Sequence, residues 1–124
     1  MINYKQDLIS MIKNVVGNIP VMTQYPDSNV IPAVFIYETS NLLINKFTNS
    51  EHVSVSFIIE VYAKDISTRD EIVNNIDDML LEAKFVRTLL EESDTTNLYA
   101  KKLGYSAELK ENKITKEIKI YNNN

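Results

Sequence analysis

The chain contains no cysteine. That absence excludes a disulfide framework, a thiolate nucleophile and a cysteine-built zinc site. Histidine is nearly absent: His52 stands alone, so neither a two-imidazole metal site nor a serine–histidine relay elsewhere in the chain is available. The two glycines, Gly17 and Gly104, are isolated, and isolated glycines build no loop that cradles phosphate. Long apolar runs are missing too. None approaches the roughly 20 residues that a membrane span requires, so no membrane partner is expected. The opening "MINYKQDLISMIKNVV" has no cationic lead, no continuous apolar stretch and no small-residue cleavage site, and the chain is read as soluble and kept in the cytoplasm. Positive charge is not in excess: the net charge is −4, which gives no global attraction to nucleic acid or anionic membrane. Arginine occurs twice, whereas Ile, Asn and Lys supply 40 of the 124 residues; their AT-rich codons speak of the source and not of function.

What is present fits one domain over residues 1–124, with "NNN" (122–124) as a frayed tail. The most ordered stretch is "HVSVSFIIEVYAKDISTRDEIVNNIDDMLLEA", residues 52–83. Val53, Val55, Phe57, Ile59, Val61 and Ala63 alternate with Ser54, Ser56, Ile58, Glu60 and Tyr62, which is the period of a strand. Ile58 and Tyr62 make its second face partly apolar, so the strand is placed centrally. Then the period changes. Ser67 or Thr68, each with an acid three residues on, is a candidate helix cap, and Ile72, Val73, Ile76, Met79, Leu80 and Ala83 form one helical stripe. An earlier helix carries Tyr4, Leu8, Met11, Ile12, Val15 and Val16 on one face and ends at Gly17. "NIPVMTQYPDSNVIP" reads as a loop with a short strand at Val21–Gln24, and "AVFIYET" (33–39) as a strand, with "SNLLINKFTNS" (40–50) as its candidate extension and then a turn. "FVRTLLEES" (85–93) fits strand or helix. "LYAKKLGYSAEL" (98–109) and "ITKEIKIY" (114–121) read as strands joined by a turn at "KENK" (110–113), with Ile114, Ile118 and Ile120 inward. The predicted class is α+β: a mostly antiparallel sheet of four to five strands with two main helices on one face.

Catalytic groups are hard to assemble from this inventory. His52 opens a strand and reads as an edge residue. Asp65, Asp70, Asp77 and Asp78 are conceivable magnesium ligands, but Asp77 and Asp78 are helix neighbours that diverge by about 100°. Asp70 is explained as charge in a helix's first turn. Glu60 and Tyr62 share a strand face and are a candidate acid pair with Glu38 if a pocket joins them. No catalytic residue, metal or cofactor is assigned. Lys101, Lys102, Lys110, Lys113, Lys116 and Lys119 make the C-terminal hairpin basic, interleaved with Tyr99, Tyr105 and Tyr121. Glu108, Glu111 and Glu117 dilute that charge, and no sequence-specific nucleic acid is expected.

The residues this scaffold leaves unexplained are apolar. Leu42, Leu43, Ile44 and Phe47 fall in or beside a connection, Leu81 points off the helical stripe, and Val86, Leu89 and Leu90 cluster after the helix. Singly each reads as satellite core; together they suggest surface that another subunit covers.

The order of these features resembles the tail terminator, or tail-completion, proteins of tailed phages and phage tail-like particles. The resemblance runs over about residues 3–109: the N-terminal amphipathic helix, "IPVMTQYP", "IPAVFIYE", the strand "VSVSFIIEVYAKD" running into "STRDEIVNNIDDMLLEA", "KFVRT", and "LYAKKLGYSAEL". The chain departs in carrying Lys84 before Phe85, where that family often has glycine, and in continuing through residues 114–121. The resemblance implies a non-enzymatic structural role without cofactor. It implies a ring of copies, commonly six, on the head-proximal end of the tail tube, touching tube and sheath protein on one side and a head-completion or collar protein on the other. It implies assembly in the cytoplasm of a bacterial host and a place in the neck of the finished particle. Subunit contacts are expected at Leu42, Leu43, Ile44, Phe47, Leu89 and Leu90. A surface facing tube or DNA is expected at Lys101, Lys102, Lys116 and Lys119. Two alternatives stand beside it: a head-completion or neck connector protein, and an unrelated small-ligand-binding α+β domain with a pocket at Glu38, Glu60 and Tyr62.

Overall fold

The computed structural model describes residues 2–24, 30–112, 115 and 117–121. Its centre is strand β3 (Ser50–Ala63), in which Val53, Val55, Phe57, Ile59, Val61 and Ala63 are all buried. Alternation puts them on one face, and that face is where both helices lie. Helix α1 (Lys5–Val16) contributes Leu8 and Ile12, and helix α2 (Ile66–Glu82) contributes Ile72, Val73, Ile76 and Leu80. Phe57 is the hub. Its ring stacks on Tyr105 at 5.7 Å, meets Phe85 edge-on at 5.4 Å and lies 6.2 Å from Tyr4. Offset and edge-on rings add to the area they bury, so this cluster fixes how the helices sit on the sheet.

Around β3 the sheet has six strands in the order β1-β2-β3-β5-β4, with β6 also on β5. Strand β2 (Ala33–Phe47) and β5 (Leu98–Asn112) flank β3 antiparallel along almost its whole length. Strand β4 (Val86–Thr95) pairs with the first half of β5, and β6 (Ile118–Tyr121) with the second half. Among the described residues only β1 (Val21–Met22) runs parallel, beside Val34 and Phe35. The class is α+β, as the sequence predicts, with the short β1 and β6 completing the sheet.

Several local expectations need correction. Residues 40–47 take the extension reading: β2 continues to Phe47 and turns at Thr48–Asn49 into β3, so Leu42, Leu43, Ile44 and Phe47 lie on the strand and not in a connection. The ambiguous 85–93 stretch is strand from Val86 on, paired along β5. β5 persists through Asn112, beyond the turn predicted at 110–113. The cap of α2 is Asp65, not Ser67 or Thr68: its carboxylate accepts from the Thr68 backbone N–H at 2.7 Å and the Thr68 hydroxyl at 2.9 Å. Those two hydrogen bonds hold the Asp65 carboxyl below its usual range. Asp70 therefore lies past the first turn. Ile118 and Ile120 pack on the core as expected, whereas Ile114, Lys113, Lys116 and the 122–124 tail lie outside the described residues.

Candidate functional site

The residues singled out for assembly lie mainly on the far half of β2. Inside the sheet this half pairs with β3, Leu42 opposite Ser54 and Leu43 opposite Val53. Its other side has no strand partner among the described residues, since β1 pairs with Val34 and Phe35 alone. Exposure is 63% at Leu42, 58% at Leu43, 43% at Ile44 and 61% at Phe47. Register shifts at Thr39 and Ile44 bend the strand. In "NLLINKF" apolar residues do not alternate, so Leu42 and Leu43 face opposite sides and neither helix covers them. An open, apolar strand edge is a template for pairing with another chain.

Leu89 and Leu90 do not form one cluster. Leu89 lies opposite Gly104 on the helix-free face, and Leu90 lies opposite Leu103 on the helix side, where it is half exposed. Gly104 permits the close crossing there: a Cβ on it would stand 2.8 Å from the Leu89 Cβ. Lys101 and Lys102 likewise part. Lys101 turns to the helix side and binds Glu92 at 3.0 Å and Asp70 at 3.5 Å. Lys102 faces the other way, between Glu60 and Glu91 on neighbouring strands. Lys119 is exposed, opposite Lys110.

Glu38, Glu60 and Tyr62 do not share a pocket. Glu38 lies opposite Phe57 and accepts a hydrogen bond from the Tyr4 hydroxyl at 2.8 Å, on the helix side. Burial and that carboxylate push the Tyr4 hydroxyl well above the usual phenol range. Glu60 points through the opposite face, where it accepts from the Tyr62 hydroxyl at 2.9 Å. Two separate clefts result, one of about 320 Å³ at Tyr4 and Glu38 and one of about 240 Å³ at Glu60 and Tyr62. Among the described residues no three His, Asp or Glu side chains converge as a metal site would need, and no helix is long and apolar enough to cross a membrane. His52 lies 3.4 Å from Glu108.

The sequence reading missed Arg69. It is 2% exposed, and it binds Asp70 at 3.0 Å, Glu92 at 3.5 Å and Asp94. The signal was available: positions 69, 72, 73, 76 and 80 make one helical stripe, and a cation on such a stripe requires anionic partners. The other arginine mirrors it, since Arg87 of β4 binds Asp77 of α2 at 2.8 Å. Asp77 also accepts from the Tyr105 hydroxyl at 2.7 Å. Both arginines thus tie α2 to β4. This is a brace within the fold.

No family model and no curated protein matches the chain. In fold it is similar to a chain of the virion of a native gene transfer agent particle, with a TM-score of 0.53, 12% sequence identity, and coverage of 78% of this chain and 82% of that one. A likeness at that identity speaks for a shared fold.

Proposed function

We propose that this chain is a structural protein of a phage or phage-like particle. It caps the head-proximal end of the tail tube, ends polymerisation there and forms the joint to head or collar. The observation that carries this reading is the free edge of β2, where Leu42, Leu43, Ile44 and Phe47 stay exposed on a long, well-paired strand. Such an edge suits a head-to-tail contact that closes into a ring, six-membered by the resemblance. The shared fold with a chain of a gene transfer agent virion supports a place in a particle of this kind. The role needs no catalytic residue and no cofactor. The ligand-binding alternative loses its basis, because Glu38 and Glu60 face opposite sides of the sheet.

The test is the tail-length distribution, by electron microscopy, of particles made without the gene. Irregular, over-long tubes are expected. Tails of normal length that fail to join heads would move the chain to head completion, the second reading. Normal complete particles would refute both.

A further inference from the structure

The helix-free face of the sheet carries one feature that folding does not explain. Phe35, Glu60, Lys102 and Glu91 form a row across β2, β3, β5 and β4. Glu60 breaks the alternation of its strand: it is 6% exposed, on the side that no helix covers. One of its oxygens accepts from Tyr62. The other, Oε2, is buried with no hydrogen-bond donor in reach among the described residues. Burying a carboxylate oxygen without a donor is unfavourable, and a donor group bound there would relieve it. Glu60 lines the 240 Å³ cleft, together with Tyr62, Glu91, Glu92, Lys101 and Lys102. Glu92 and Lys101 are already paired with each other and with the α2 brace. Glu60 and Glu91 remain as two carboxylates flanking one ammonium, that of Lys102, which makes no ion pair within 4.0 Å of either. The cleft therefore keeps a surplus of one negative charge beside an aromatic ring.

We infer that this cleft receives an arginine side chain of a partner protein, its guanidinium donating to the Glu60 carboxylate, which turns toward it, and lying beside Tyr62. A planar cation with several donors suits a carboxylate beside an aromatic ring better than a compact ammonium does. The arginine comes from a different protein and not a second copy. This chain has two arginines, and both are engaged at home, Arg69 buried and Arg87 on Asp77. That the partner belongs to the same particle rests on the proposed assembly role; the site itself does not.

The test uses the isolated full chain, isotopically labelled, titrated with N-acetyl-arginine amide and, as an uncharged control of the same shape, N-acetyl-citrulline amide. The expected result is a saturable shift of the Glu60 carboxyl resonance with the arginine probe. Binding should be at least tenfold weaker for citrulline and for E60Q, which keeps an acceptor for the Tyr62 hydroxyl. K102Q, at a half-exposed position and free of the folding question attached to Glu60, should bind the arginine probe severalfold more tightly, because the nearest competing cation is gone. Equal response to both probes, shifts spread over exposed carboxylates, or no binding to K102Q would overturn the inference. Normal complete particles in the gene deletion together with arginine binding would refute the assembly role and leave the site standing.

Discussion

At the scale of single residues, Lys84 is the clearest case of strain. It follows α2 with φ +75, and the turn closes through Lys84 N–H to Leu81 O and Phe85 N–H to Leu80 O, both 3.0 Å. A side chain in the left-handed region costs about 1–2 kcal/mol, and glycine's extra freedom in the unfolded chain offsets about 0.5–1 kcal/mol. K84G should therefore stabilise the fold by roughly 0.5–1 kcal/mol, read as a rise of the thermal midpoint; K84A should give no such gain. Asn97, at φ +64 in the β4–β5 turn, is in the same region but is a residue type that tolerates it. The sequence showed that a lysine stands where the resembling family often has glycine. It did not show the backbone angle that gives the difference a consequence.

At the scale of elements, the brace between α2 and β4 sets a pH dependence. Burial alone would raise the Asp70 carboxyl, but the hydrogen bond and charge of Arg69, with Lys101 beyond it, hold it below its ordinary range. A carboxylate held low contributes stability that is fully present above its unfolded value, about 3.9, and is lost as the pH falls through the folded one. D70N should cost under about 1 kcal/mol near neutrality, since the carboxylate is 41% exposed. That cost should shrink as the pH falls below about 4. Denaturant midpoints of both proteins across pH 2–7 check it, and a gap that widened in acid would refute the assignment. The strand–helix ambiguity of "VRTLLEESDT" is settled between elements too. Adjacent leucines satisfy either period, and pairing along β5, from Val86 opposite Ser106 to Thr95 opposite Leu98, decides it.

At the scale of the whole molecule, length governs what is covered. Strand β2 has 15 residues, roughly 50 Å at the rise of a strand, whereas α2 has 17 and spans roughly 25 Å. Helices of that size cannot blanket such a sheet, so its far end stays bare. F47D should therefore leave the folded monomer within about 0.5 kcal/mol of the parent while abolishing its assembly onto tail tubes, seen by electron microscopy of tubes formed with the variant. Intact caps would remove Phe47 from the contact. The α+β class was legible because the change from period two to period 3.6 at residues 63–66 is sharp. The strand pairings were not. Alternation says which residues share a face within β2 or within β3, but not how far one strand slides along the other, and that slide is what separates Glu38 from Glu60.

The bare end of the hairpin also has a mechanical meaning. β2 and β3 stay paired from Ala33 opposite Tyr62 to Phe47 opposite Ser50, and β5 runs along the far side of β3 for its whole length. A pull along the strand axis loads all these rungs at once, in shear, whereas a pull across the tip would open them one by one like a zipper. A contact that grips the arm lengthwise thus couples tension to the strongest direction of the sheet, and carries it straight into the core at Phe57.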